Sequence, residues 1–146
     1  MGERYTMSTI IVRYADRKDL KFTSIDEQAN RETIAKKIDL KHVIVAEYDN
    51  HKAGYLRLDH FWSKPSDPYI SMIWVLEGYR KRGLGKAMLS FLAEELKGQG
   101  IKYLYSSSQA DEPEPQQWHR HVGFQECGYI SEINEGIDEI FFRKVL

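Results

Sequence analysis

The chain has 146 residues, 42% of them hydrophobic and 29% charged, with a formal net charge of −1. That length supports one domain with a substantial core, and the composition excludes wholesale disorder. A charge this close to zero gives no global attraction for nucleic acid or anionic membranes, so a positive patch would have to be local.

The one cysteine, Cys127, excludes an intrachain disulfide framework and fits a reducing, cytoplasmic compartment. It reads as a small core or half-buried residue rather than a nucleophile. No apolar run approaches the roughly 20 residues needed to cross a bilayer. The N-terminus MGERYTMS lacks the apolar segment of a signal peptide. It fits the pattern Met-Gly-x-x-x-Ser/Thr, which is too loose to identify myristoylation on its own. Residues 1–8 read as a disordered start to a single domain spanning 1–146.

Thr9 to Tyr14 (TIIVRY) is a β-branched and aromatic stretch that predicts a strand. Asp16 can cap a helix, and the polar segment Asp16 to Asp39, with sparse Leu20, Ile25, Ile34 and Ile38, predicts one or two short helices. His42 to Tyr48 and Ala53 to Trp62 read as a hairpin turning at Asp49 to Lys52. After Pro65 and Pro68, the near-continuous apolar run Tyr69 to Val75 predicts a strand buried on both faces.

From Gly83 the period becomes helical, with Leu84, Ala87, Met88, Phe91, Leu92 and Leu96 on one face and Gly98 and Gly100 as the stop. Ile101 to Ser106 is a fifth strand. Asp111, with Glu114 at capping-box spacing, predicts a short helix ending at Gly123. Phe124 to Ile130 and Glu139 to Val145 are the last strands. The order predicts an α/β (α+β) domain built round one mixed sheet of about seven strands.

The most informative stretch is Trp74 to Met88, WVLEGYRKRGLGKAM. A strand that feeds a glycine-rich turn at a helix N-terminus presents unpaired N–H groups and the positive end of the helix dipole. Gly83 and Gly85 let the backbone approach a ligand, and Arg80, Lys81, Arg82 and Lys86 add full charges. Phosphate is the natural guest. A P-loop requires Lys and Ser/Thr where Leu84 and Gly85 stand, and a dinucleotide fingerprint requires a small residue where Met88 stands.

Arg80-x-x-Gly83-x-Gly85 instead fits Arg/Gln-x-x-Gly-x-Gly/Ala, and here the sequence resembles the GNAT superfamily of N-acetyltransferases. A second landmark of that family, an aromatic-rich helix closing on Gly-Phe, is matched by Trp118 to Phe124 (WHRHVGF). The resemblance implies a central, mostly antiparallel sheet with a splayed cofactor cleft and flanking helices. It implies acetyl-CoA as co-substrate, with no metal, and a primary amine as the acceptor that attacks the thioester directly.

By the same resemblance, the backbone from Lys81 through Arg82, Gly83, Leu84 and Gly85 to Lys86 holds the pyrophosphate. Ile73, Trp74 and Val75 would pair with the pantetheine arm, with a backbone N–H near Val75 for the developing oxyanion, while Leu104 to Ser106 splays away. The position of the family's thiolate acid, often tyrosine, is occupied by His119, a group able to donate a proton or simply to hold the cofactor.

Glu112 falls where many members have asparagine, and Pro115 where they have alanine. Ser106, Ser107, Ser108 and Gln109 offer replacement polar contacts. Asp59 and His60 are the candidate general bases, although neighbours on a strand point to opposite faces; Ser71 could hold a water. Tyr55, Trp62 and Trp74 could line an aromatic pocket, but aromatics at strand spacing read first as core; Glu126, Glu132, Glu135, Asp138 and Glu139 could attract a cationic amine, but read first as surface.

Two alternatives stay open: a non-catalytic acyl-CoA-binding module, and a nucleic-acid-binding domain that uses Arg80 to Arg82. The net charge disfavours the latter. No membrane partner is expected, and the chain is read as a monomer or homodimer.

Overall fold

The computed structural model describes residues 9–146. The N-terminal Met-Gly pattern and the expected disordered start lie outside the described residues. The chain is α/β: β1 (Ile10–Tyr14), α1 (Arg31–Asp39), β2 (Val43–Tyr48), β3 (His51–His60), β4 (Pro68–Val75), α2 (Leu84–Gly98), β5 (Tyr103–Gln109), α3 (Pro113–His121), β6 (Gln125–Asn134) and β7 (Ile137–Val145). The seven strands form one sheet in the order β1-β2-β3-β4-β5-β7-β6. The β4–β5 pair is parallel, with Tyr69 opposite Tyr105, whereas β1–β2, β5–β7 and β6–β7 are antiparallel. Among the described residues, no helix is long and apolar enough to cross a membrane.

The chain divides into two compact units, one of residues 9–56 and 73–91 among those described, the other of 57–72 and 92–146. In the first, Ile34, Ala35 and Ile38 of α1, Val43 to Ala46 of β2, and Leu84, Met88 and Leu89 of α2 are buried. Asp16 caps a 3-10 turn over Arg17–Asp19 by a reciprocal capping box with Asp19. Asp19, only 1% exposed, also receives Arg13 and Lys52, each at 2.7 Å. Burial alone would raise its pKa, but the hydrogen bonds from Arg13, Lys52 and the Asp16 backbone outweigh that and hold the carboxyl well below the usual range. The β2–β3 turn is Asp49-Asn50, both at positive φ (47° and 68°), so β3 starts two residues earlier than the sequence pattern predicts.

In the second unit Leu58, Ile70, Leu92, Leu96, Leu104, Phe124 and Phe142 form the buried core. Three sequence expectations are corrected. β4 is not buried on both faces: Pro68 and Ile70 are buried, but Ser71 to Val75 are only half-buried. Asp111 does not cap α3; Glu112 is the N-cap residue, without a side-chain bond, because Pro113 fixes the first helical φ and has no N–H to offer. α2 ends at Gly98 as the sequence predicts, with Gly100 in left-handed backbone at φ 80° beyond it. Cys127 is exposed because β6 is an edge strand.

Candidate functional site

β4 ends at Val75, a 3-10 turn spans Glu77–Tyr79, and α2 begins at Leu84. Lys81 and Gly83 both take left-handed backbone, at φ 63° and 83°. Two such residues within three positions curl the chain, a geometry that gathers N–H groups into an anion-binding concavity. The first helical bond of α2 runs from the Ala87 N–H to the Gly83 carbonyl at 2.9 Å. The N–H groups of Leu84, Gly85 and Lys86 therefore have no acceptor within the helix.

The loop is held from both sides. Arg80 Nε donates to the Val75 carbonyl at 3.2 Å, and the Arg82 guanidinium lies 5.0 Å from the Tyr48 ring centre and 5.7 Å from that of Tyr79. Arg80, Lys81, Arg82, Gly83 and Lys86 are exposed, while the Leu84 side chain anchors the helix in the core. No atom lies within 4 Å of where a Gly83 Cβ would stand, so the glycine is required by backbone conformation and leaves open space in front of the amides. Trp74 stacks on Tyr55 at 6.4 Å, and its buried indole N–H has no partner.

In the second unit the structure brings Ser106 and His119 together. His119 is 4% exposed, its ring stacked parallel on Phe142 at 4.5 Å. Nε2 lies 2.7 Å from Ser106 Oγ and Nδ1 lies 2.7 Å from the Pro115 carbonyl. A carbonyl can only accept, so Nδ1 carries the proton and the Ser106 hydroxyl donates to Nε2. Burial lowers the His119 pKa, against smaller raising effects of Pro115 and Glu139, and the neutral ring is the ground state. Ser108, on the same face of β5, has a buried hydroxyl without a partner.

The opposite face of β5 carries a network the sequence reading missed. The Tyr69 hydroxyl meets Ser107 Oγ at 2.6 Å, Ser107 donates to Glu139 at 2.5 Å, and Asn134 donates to the other Glu139 oxygen at 3.2 Å. With Ser107 donating to the carboxylate, the Tyr69 O–H donates to Ser107. Burial raises the Tyr69 pKa. Glu139 and Asp138 are half-buried rather than surface residues, whereas Glu126, Glu132 and Glu135 are exposed as expected. Neither β5 (YLYSSSQ) nor β7 (IDEIFFRKV) alternates polar and apolar residues in a way that marks this chain.

The remaining predicted residues are dispersed. Asp59 is exposed and its neighbour His60 half-buried, as opposite strand faces require. Ser71 Oγ donates to the Arg57 carbonyl at 3.3 Å. Glu112 is exposed, and Ile73, Trp74 and Val75 are half-buried. Of the three aromatics read as core, Tyr55 is fully buried and Trp74 half-buried, but Trp62 is 84% exposed because β3 stops at His60. Among the described residues, no group of three or more His, Cys, Asp or Glu side chains could hold a metal ion.

The model of the Acetyltransferase (GNAT) family matches residues 11–124. Solved structures share the fold. A GNAT-family acetyltransferase from Bacillus cereus is 24% identical over 94% of this chain and 97% of its own, with a TM-score of 0.77. The ribosomal-protein-S18-alanine N-acetyltransferase of Escherichia coli is 18% identical over 94% of both chains, with a TM-score of 0.79. The protein yncA from Salmonella typhimurium, solved with its cofactor acetyl-CoA, is 16% identical over 94% of both chains, with a TM-score of 0.78. No curated protein matches the sequence.

Proposed function

This chain belongs to the GNAT acetyltransferase family, and on that premise we propose that it transfers the acetyl group of acetyl-CoA to a primary amine of a small molecule or peptide. The observation that carries the reading is the Arg80–Lys86 loop, with left-handed backbone at Lys81 and Gly83, three helix-end N–H groups without intrahelical acceptors, and open space before them. Acetyl-CoA supplies an activated thioester and a pyrophosphate handle.

The N–H groups of Leu84, Gly85 and Lys86 bind the pyrophosphate, and the exposed Arg80, Lys81, Arg82 and Lys86 neutralise its charge. Ile73, Trp74 and Val75 offer backbone groups to the pantetheine arm, with the Val75 N–H assigned to the thioester carbonyl oxygen.

His119 acts on the departing sulfur through Ser106. In the neutral ring Nε2 accepts a hydrogen bond from the Ser106 hydroxyl. A proton taken up from solvent at Nε2 turns both nitrogens into donors, to Pro115 and to Ser106 Oγ; as the Ser106 hydrogen passes to the departing thiolate, the Nε2 proton replaces it on Oγ and the ring returns to neutral. The proton leaving the amine is assigned to a carboxylate or imidazole of the second unit: Asp59, His60, or Glu139 at the end of the Tyr69–Ser107 chain.

One observation favours the non-catalytic module as a second reading: both His119 nitrogens are already engaged. Titration with acetyl-CoA, followed by thiol release across an amine panel, tests both. Binding plus turnover that falls in His119→Phe supports the enzyme. Binding without turnover on any amine supports the module, and no acetyl-CoA binding refutes both.

A further inference from the structure

Phe61, Trp62, Tyr105, Tyr129 and Phe141, with Asp67, line a cavity of about 420 Å3 that is open to solvent, and no lysine, arginine or histidine is among its lining residues. Two features mark it as more than an accident of packing. Trp62 is 84% exposed and Tyr129 66%, so large apolar surface is spent without being buried. Trp62 and Ser63 are also both held in left-handed backbone, at φ 58° and 54°, a conformation bulky side chains rarely adopt. Strain that keeps an indole at the rim of an aromatic cavity points to a ligand.

The chemistry of the wall selects that ligand. Ring faces are electron-rich and attract cations, and Asp67 adds a full negative charge. An anion would be repelled, and a purely apolar guest would desolvate Asp67 without giving it a partner. An opposite charge also favours the charged form of an amine, which then has no lone pair with which to attack. The cation held here is therefore not the reacting nitrogen.

We propose that this cavity binds an alkyl-flanked organic cation of the quaternary-ammonium class.

The probes are choline and 3,3-dimethylbutan-1-ol, which share a shape and differ in charge, titrated calorimetrically against the full chain. Choline binds at least about fivefold tighter than the alcohol, and Trp62→Gly and Asp67→Asn each weaken choline by about three- to tenfold. Glycine suits the backbone at position 62, so Trp62→Gly keeps its thermal midpoint. Equal affinity for the two probes, unchanged choline affinity in Trp62→Gly, or no choline binding at all overturns the site. A parallel acetyl-CoA titration separates the two ideas. Normal acetyl-CoA binding without choline binding refutes the site alone, whereas choline binding without acetyl-CoA binding refutes the acetyltransferase reading alone.

Discussion

Gly83 and Gly100 form a natural matched pair. They lie beyond opposite ends of α2, at φ 83° and 80°, are both exposed, and each would place a Cβ in open space. Alanine at either therefore meets the same penalty, about 1–2 kcal/mol for left-handed backbone in an L-residue, or a fall of roughly 3–8 °C in thermal midpoint for a domain of this size. Only Gly83 adjoins the unpaired amides of Leu84, Gly85 and Lys86. A hydrogen bond to a charged group is worth about 1.5–3 kcal/mol, so disturbing one weakens acetyl-CoA binding by about ten- to a hundredfold in Gly83→Ala. Gly100→Ala keeps its affinity. The assay is acetyl-CoA calorimetry beside differential scanning fluorimetry on both variants. Equal affinity in the two variants, whether lost or retained, would refute the loop as the phosphate site.

His119→Phe keeps the stack on Phe142 but strands Ser106 Oγ, costing about 1–3 kcal/mol of stability; acetyl-CoA still binds while turnover falls about a hundredfold, and unchanged turnover would remove His119 from the reaction. His119 also sets a pH dependence. Its folded pKa lies below the unfolded value of about 6.5, so the unfolded chain binds the proton more readily. Stability is full above that value and declines as pH falls from it toward the folded pKa. Urea midpoints from pH 8 to 5 read this slope, which flattens in His119→Phe. Asp19→Asn leaves Arg13 and Lys52 without their shared carboxylate and costs about 3 kcal/mol, read by urea unfolding at pH 7. Asp19 carries the opposite sign to His119: its contribution is present above the ordinary carboxylate range and is lost as pH falls through its depressed folded value.

The anion loop was legible because its chemistry is local. Arg80, Gly83 and Gly85 are neighbours in sequence, and the switch of period at Leu84 marks the helix start without tertiary help. The Ser106–His119 pair was half legible: the position of His119 before Gly-Phe was visible, but that both its nitrogens are engaged was not. The Tyr69–Ser107–Glu139 chain joins residues 38 and 32 positions apart, a non-local juxtaposition that no spacing announces. Trp62 was misread because alternation ran past the true end of β3, where the left-handed turn takes over. Asp111 was misread because Pro113 reset the helix start by one residue.

β6 closes one edge of the sheet, and Gln125 to Ile133 are exposed along it, including Tyr129, Ile130 and Ile133. Its register is broken between Glu126 and Gly128 and again between Ile130 and Asn134, and Glu126, Glu132 and Glu135 place charges along it, features that oppose edge-to-edge pairing. Replacing Glu126, Glu132 and Glu135 together by glutamine removes these charges without touching the core, so light scattering at neutral pH rises with protein concentration in that variant while the circular dichroism of the helices is unchanged.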